Sequence, residues 1–125
     1  MKLREFLAPE RVIIPLEART LGEAGAELLA RVLAAREVLD ASKLRRRAAE
    51  ARTDDMVAMG DRAFLLHYRT DGAGQLLVAV GVAPTPLCRR LPGEDEQCAR
   101  IVLLIATPPR QAARYLQVVG GFARL

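Results

Sequence analysis

His67 is the only histidine in the 125-residue chain. It sits in an apolar run, Phe64–Tyr68, and Arg69 follows it two residues later. In a strand, residues two apart project from the same face, so imidazole and guanidinium share a side. Imidazole titrates near neutrality and can serve as a nucleophile or as an acid–base group. A neighbouring cation disfavours imidazolium and keeps the ring neutral and nucleophilic. The same cation stabilises a phosphoryl group once one is attached. The pair therefore suits a phosphohistidine carrier better than a hydrolase. The plainer alternative, a hydrogen-bonded, semi-buried strand histidine beside a surface arginine, stays open on these residues alone.

Other chemistries find little support. A Ser–His–Asp hydrolase would need a nucleophile elbow, and G-x-S-x-G does not occur. Neither Walker A nor G-x-G-x-x-G is present. Asp54-Asp55 and Glu94-Asp95-Glu96 read as solvated carboxylates at a helix end and in a loop. Cys88 and Cys98 lack a C-x-x-C arrangement, and with one histidine they do not make a zinc set. No metal and no cofactor is expected. Two free thiols in a reducing cytoplasm are the expectation, with a disulfide closing the 89–97 loop as the alternative.

Composition narrows the class further. Hydrophobic residues are 51% and charged residues 27%, too apolar for a disordered chain. The length argues for one domain, residues 1–125, with a core of its own. The longest apolar runs, around Leu76–Val82 and Ile101–Thr107, fall far short of the ~20 residues of a membrane span. The charged start MKLREFLAPER has no apolar core of a signal peptide, so a cytoplasmic location is expected. Net charge is +4, and every cation except Lys2 and Lys43 is an arginine. The densest cluster, Arg45-Arg46-Arg47, reads as a solvated helix face or as a patch for an acidic partner. Three Phe, two Tyr and no Trp leave few stacking platforms, so nucleic acid is not an expected partner.

The elements that would position His67 follow from periodicity and punctuation. Arg11–Leu16 is a short extended segment cut by Pro15. Thr20-Leu21-Gly22-Glu23 is a capping box. Behind it Leu21, Ala24, Leu28, Val32 and Leu33 form one stripe, predicting a helix to about Arg36. Asp40 or Ser42 caps a second helix to about Ala51, with Leu44 and Ala48 inward and the arginines outward. Met56–Met59 and Phe64–Tyr68 flank a Gly60-Asp61 turn. Thr70–Gly74 is a second turn, and Phe64–Tyr68 and Leu76–Val82 are expected to pair across it as a hairpin. Ala83–Gln97 reads as loop. Arg100–Thr107 is apolar on both faces and expected to be central. Pro108-Pro109 stops it, and a last helix carries Ala113, Leu116, Val119 and Phe122 at helical spacing. The class is α/β, a mixed sheet of four or five strands covered by helices.

The order of these motifs resembles, over essentially the whole chain, the fructose/mannitol/nitrogen-type IIA component (EIIA type 2) of the bacterial phosphoenolpyruvate-dependent phosphotransferase system. LREFLAPERVIIPLEA looks like its opening, TLGEAGAELLARVL like its first long helix, and VLDASKLRRRAAEAR like the next. That helix ends in an Arg–Glu pair in the family; here Arg52-Thr53 stands there. MVAMGDRAFLLHYRT matches the stretch leading to the phosphorylated histidine, with Gly60 and His67 in place and Arg69-Thr70 as a common continuation. QLLVAVGVAPTPL and RIVLLIATPPRQAARYLQVVGGFARL resemble the later strands and helix.

The resemblance implies a phosphoryl relay in the cytoplasm without a metal. An HPr-like phosphocarrier would charge His67, and His67 would pass the group to a IIB protein or domain. Arg52 and Arg69, with Tyr115, would stabilise the phosphate. The sequence departs from the family at named positions. Leu66 replaces the Pro before the histidine, and Met56, Val57 and Ala58 replace Ser-Thr-Gly. Arg62 replaces a Gly, and Tyr115 falls where the family has a second active-site histidine. These departures fit the alternative, a IIA-like regulator that binds a partner without obligatory phosphorylation. The family usually continues through further helix beyond the position of Leu125, so the resemblance implies either a trimmed domain or an apolar face covered by a partner or second subunit.

Overall fold

The structure, a computed structural model, describes residues 3–124. Five strands form one sheet: β1 (Val12–Ile13), β2 (Met56–Met59), β3 (Ala63–Arg69), β4 (Leu77–Arg89) and β5 (Gln97–Thr107). Their order is β1-β4-β5-β3-β2. β5 runs parallel to β3 and antiparallel to β4, β1 is parallel to β4, and β2 is antiparallel to β3. The expected mixed sheet and the central place of the RIVLLIAT run are both present. Val102 through Thr107 are buried without a break, which requires cover on both faces.

Helices α1 (Leu21–Leu33) and α2 (Ala41–Ala49) cover one face, and α3 (Ala112–Ala123) covers the other. On the first face Ala24, Leu28, Val32 and Leu44 pack with Leu66, Tyr68, Val102 and Leu104. On the second, Val118 packs with Leu65, Val78, Leu103 and Ile105. The caps form as the sequence predicts. Thr20 Oγ1 accepts the Glu23 amide at 3.1 Å, and Asp40 Oδ1 accepts that of Lys43 at 3.1 Å. Each contributes about 1 kcal/mol. The Glu23 carboxylate reaches one residue beyond the cap, to the Arg19 amide at 3.3 Å. Both helices end earlier than their stripes suggest, at Leu33 and Ala49.

Four expectations are corrected. Phe64–Tyr68 and Leu76–Val82 do not pair, because β5 lies between them. The Val102–Thr107 part of β5 is buried on both faces without a break, so it takes the centre. The Thr70–Gly74 turn instead docks on the entry to α2. There Gly72 O accepts the Leu39 and Asp40 amides, and a Cβ on Gly72 would stand 2.8 Å from Asp40 O. The 83–97 segment is not all loop: β4 continues to Arg89, with a register shift between Val82 and Leu87. Pro84 and Pro86 fall inside that shift, beyond the reach of β1, where a missing N–H breaks no ladder bond. Cys88 and Cys98 face one another across β4 and β5 and form a disulfide, so the thiols are not free.

The fourth correction concerns half of the α3 stripe: Val119 and Phe122 pack inward as expected, but Ala113 and Leu116 do not. Val118 is fully buried and Tyr115 half-buried, whereas Leu116 is 67% exposed and Ala113 lies in solvent. Among the described residues no helix is long and apolar enough to cross a membrane.

Leu104 lies in the middle of β5, fully buried against α1. Leu104→Ala is expected to cost about 2–5 kcal/mol. In urea titration the midpoint should fall with the slope unchanged.

Candidate functional site

Strand alternation sets the site. Phe64, Leu66 and Tyr68 alternate with Leu65, His67 and Arg69 along β3. Leu66 and Tyr68 pack into the α1–α2 side and Leu65 into the α3 side. His67 therefore points toward α3. It lies two residues from the carboxyl end of β3, opposite Ile105 of the parallel β5.

Two neighbours fix the imidazole. Nε2 lies 3.2 Å from the Thr107 hydroxyl, at the carboxyl end of β5. The Tyr115 ring stacks on the imidazole, with centroids 3.7 Å apart and planes within 9°. Tyr115 reaches this place because Pro108 and Pro109 end β5 and open the turn into α3. An aromatic at position 115, rather than the aliphatic at 116, then faces the sheet.

Burial pushes the His67 pKa down from 6.5 to about 4. The Arg47 guanidinium adds to the shift, the Asp55 carboxylate opposes it, and Arg69 lowers it further. The ring is neutral at pH 7. Whichever tautomer the Thr107 hydroxyl selects, one ring nitrogen carries a lone pair. Burial also raises the Tyr115 phenol, which stays a hydrogen-bond donor.

The expected site residues are only partly brought together. His67 and Tyr115 are in contact. Arg69 is exposed on the same face of β3 as His67. The Arg52 side chain instead lines a groove whose floor includes Leu66 and Tyr68, on the other face of the strand. Its backbone amide donates to Asp55 Oδ2 at 2.7 Å.

Sequence reasoning missed Thr107, Arg47 and Asp55. The Arg47 guanidinium clasps the Asp55 carboxylate with two bonds, of 3.0 and 2.7 Å, and lies over the Tyr68 ring. Arg47 and Asp55 are thus neither the solvated helix face nor the solvated carboxylate expected of them. The clasp holds Asp55 below the ordinary carboxylate range and raises Arg47. A hydroxyl closing an otherwise apolar strand was the one signal that could have pointed to Thr107.

No protein-family model matches the chain, and no curated protein matches it significantly in sequence. Its fold is that of a IIA-type protein. It is similar to the solved structure of the nitrogen regulatory protein IIA-Ntr from Neisseria meningitidis, with a TM-score of 0.77 at 16% identity. The likeness covers 95% of this chain and 80% of that one.

The depressed His67 pKa fixes a sign. Between about 4 and 6.5 the unfolded chain binds the proton that the folded ring refuses. The stability linked to His67 is complete above about pH 6.5 and is lost as pH falls through about 4. Imidazole C–H shifts followed by NMR should give a midpoint near 4. In Tyr115→Ala, which uncovers the ring, the midpoint should move up toward 6.5.

Proposed function

We propose that this chain is a IIA-type phosphoryl carrier. It accepts a phosphoryl group on His67 from an HPr-like phosphocarrier and hands it to a IIB partner. The observation that carries the reading is the neutral imidazole, clamped by Thr107 and Tyr115 at the carboxyl ends of parallel β3 and β5. Its setting in a IIA-type fold supports it.

In the charging step the His67 lone pair forms the new N–P bond while the donor's N–P bond breaks, and the donor ring regains its lone pair. No net proton or electron is required. Fixing the ring lowers the entropic part of the barrier, because the nucleophile does not have to be oriented at each encounter. The low proton affinity keeps the lone pair available at neutral pH. Once three anionic oxygens arrive, Arg69 stands on the same face to meet them, and the Tyr115 hydroxyl is a second donor. Arg52 would have to reach around the β2–β3 end of the sheet to join them.

A second reading is a IIA-like regulator that binds its partner without phosphorylation. The Thr107 hydroxyl favours it, since it engages Nε2, one of the two ring nitrogens that could take a phosphoryl group.

One experiment separates the two. The protein is incubated with phosphoenolpyruvate, enzyme I and HPr, and its intact mass is measured beside His67→Ala. The carrier predicts one acid-labile phosphoryl adduct, absent from the variant, with charging slowed about 10²-fold in Arg69→Ala. No adduct on folded protein, while an active IIA charges in the same mixture, would sink the carrier and leave the regulator.

A further inference from the structure

A groove opens between α1, α2 and β3, on the face of the sheet away from His67. Its volume is about 700 Å³, within the range of small-molecule sites, about 300–1,000 Å³. Leu21, Leu29, Ala48, Met56, Leu66 and Leu91 give it an apolar lining. Its charged residues are all of one sign: Arg45, Arg52 and Arg89, with no carboxylate among the lining residues.

The three arginines are not equivalent. Arg89 is fixed: Nη1 donates to Met56 O at 2.9 Å, Nε to Gln97 Oε1 at 3.0 Å, and its guanidinium lies over Phe64. Arg45 and Arg52 are exposed and neither forms a salt bridge among the described residues, although the Arg52 charge acts on the Asp55 carboxylate that Arg47 clasps. Nearby Arg47, by contrast, is neutralised by Asp55. The groove thus joins an apolar trough to a rim of exposed arginines, and each half selects a different part of one ligand. The trough favours a hydrocarbon segment by burial, and the rim favours an anionic head.

We propose that this groove binds a single-chain anionic amphiphile, a fatty-acid-like carboxylate, with its chain over Leu66 and Met56 and its head at Arg45 and Arg52. The site lies apart from the phosphoryl-acceptor reading of His67, and neither depends on the other.

Decanoate below its micelle concentration is the probe, with decanol as the uncharged control. Binding is followed by amide chemical shifts and by calorimetry on the intact chain. The expected result is saturable one-to-one binding of decanoate, with shifts clustered at Gly25, Ala48, Met56 and Leu66. Arg45→Ala/Arg52→Ala should weaken decanoate about tenfold or more and leave decanol unchanged. Ala26→Trp, which puts a large ring into the trough from the exposed side of α1, should weaken both ligands. The double arginine variant changes only exposed side chains, so it keeps the test informative if the tryptophan variant fails to fold.

The proposal is overturned if decanoate does not saturate, if its shifts map away from the groove, or if the double variant binds it undiminished. It is overturned equally if decanoate is silent and an acidic amphipathic peptide occupies the groove instead.

Discussion

Between Val102 and Thr107, β5 has no side open to water. It is hydrogen-bonded to β3 on one edge and β4 on the other, with helices above and below. A strand so enclosed satisfies every backbone group through its neighbours, since an unpaired amide there would lose a full hydrogen bond. The rest of the fold answers that demand. β3 and β4 are held apart although they are consecutive, and the turn between them is spent on the helix entry at Asp40. The chain leaves β5 through two prolines into the helix that closes the second face.

The environment of His67 is a by-product of the same enclosure. It lies beside Ile105, the last residue but two of the buried run, with Thr107 at the run's end. Its ring inherits the low dielectric of the core on one side and the edge of solvent on the other. Burial therefore dominates its proton affinity, and the flanking cations only add to it. Thr107 is a polar residue 2% exposed within an apolar core, and its hydroxyl faces the imidazole. An unfilled hydrogen bond is avoided for both groups at once.

Much of the architecture was legible. Thr20 and Asp40 announced their helices because capping is a local interaction. The centrality of the 100–107 run followed from its unbroken apolarity. What misled were features decided at long range. Pro84 and Pro86 look like loop residues unless β1 is known to stop short of them. The 64–68 and 76–82 runs look like a hairpin unless β5 is known to enter between them. The spacing placed Val119 and Phe122 of α3 correctly, but not the start of the helix, where Tyr115 rather than Leu116 turns inward onto His67. At the site, His67 was found by its uniqueness and Arg69 by its spacing. Arg47 and Asp55 looked like members of charge runs, and only the end of α2 reveals that they meet. Arg52 lies only five residues beyond Arg47, yet its side chain belongs to the groove.

The outer margin of β2 carries its own consequence. Met56–Met59 is an uncharged outer strand without proline, the sort of border on which a second molecule could extend the sheet. It is only four residues long, and Asp54 and Asp61 stand exposed just beyond its two ends. If two copies met antiparallel along it, Met56 would face Met59 and Val57 would face Ala58. Asp54 lies in the 3-10 turn before the strand and Asp61 in the turn after it, so the Asp54 end of each copy would come close to the Asp61 end of the other. Like charges would then oppose one another at both ends of the seam, which disfavours the pairing. The border that looks most adhesive by composition is thus held single by the two carboxylates that frame it.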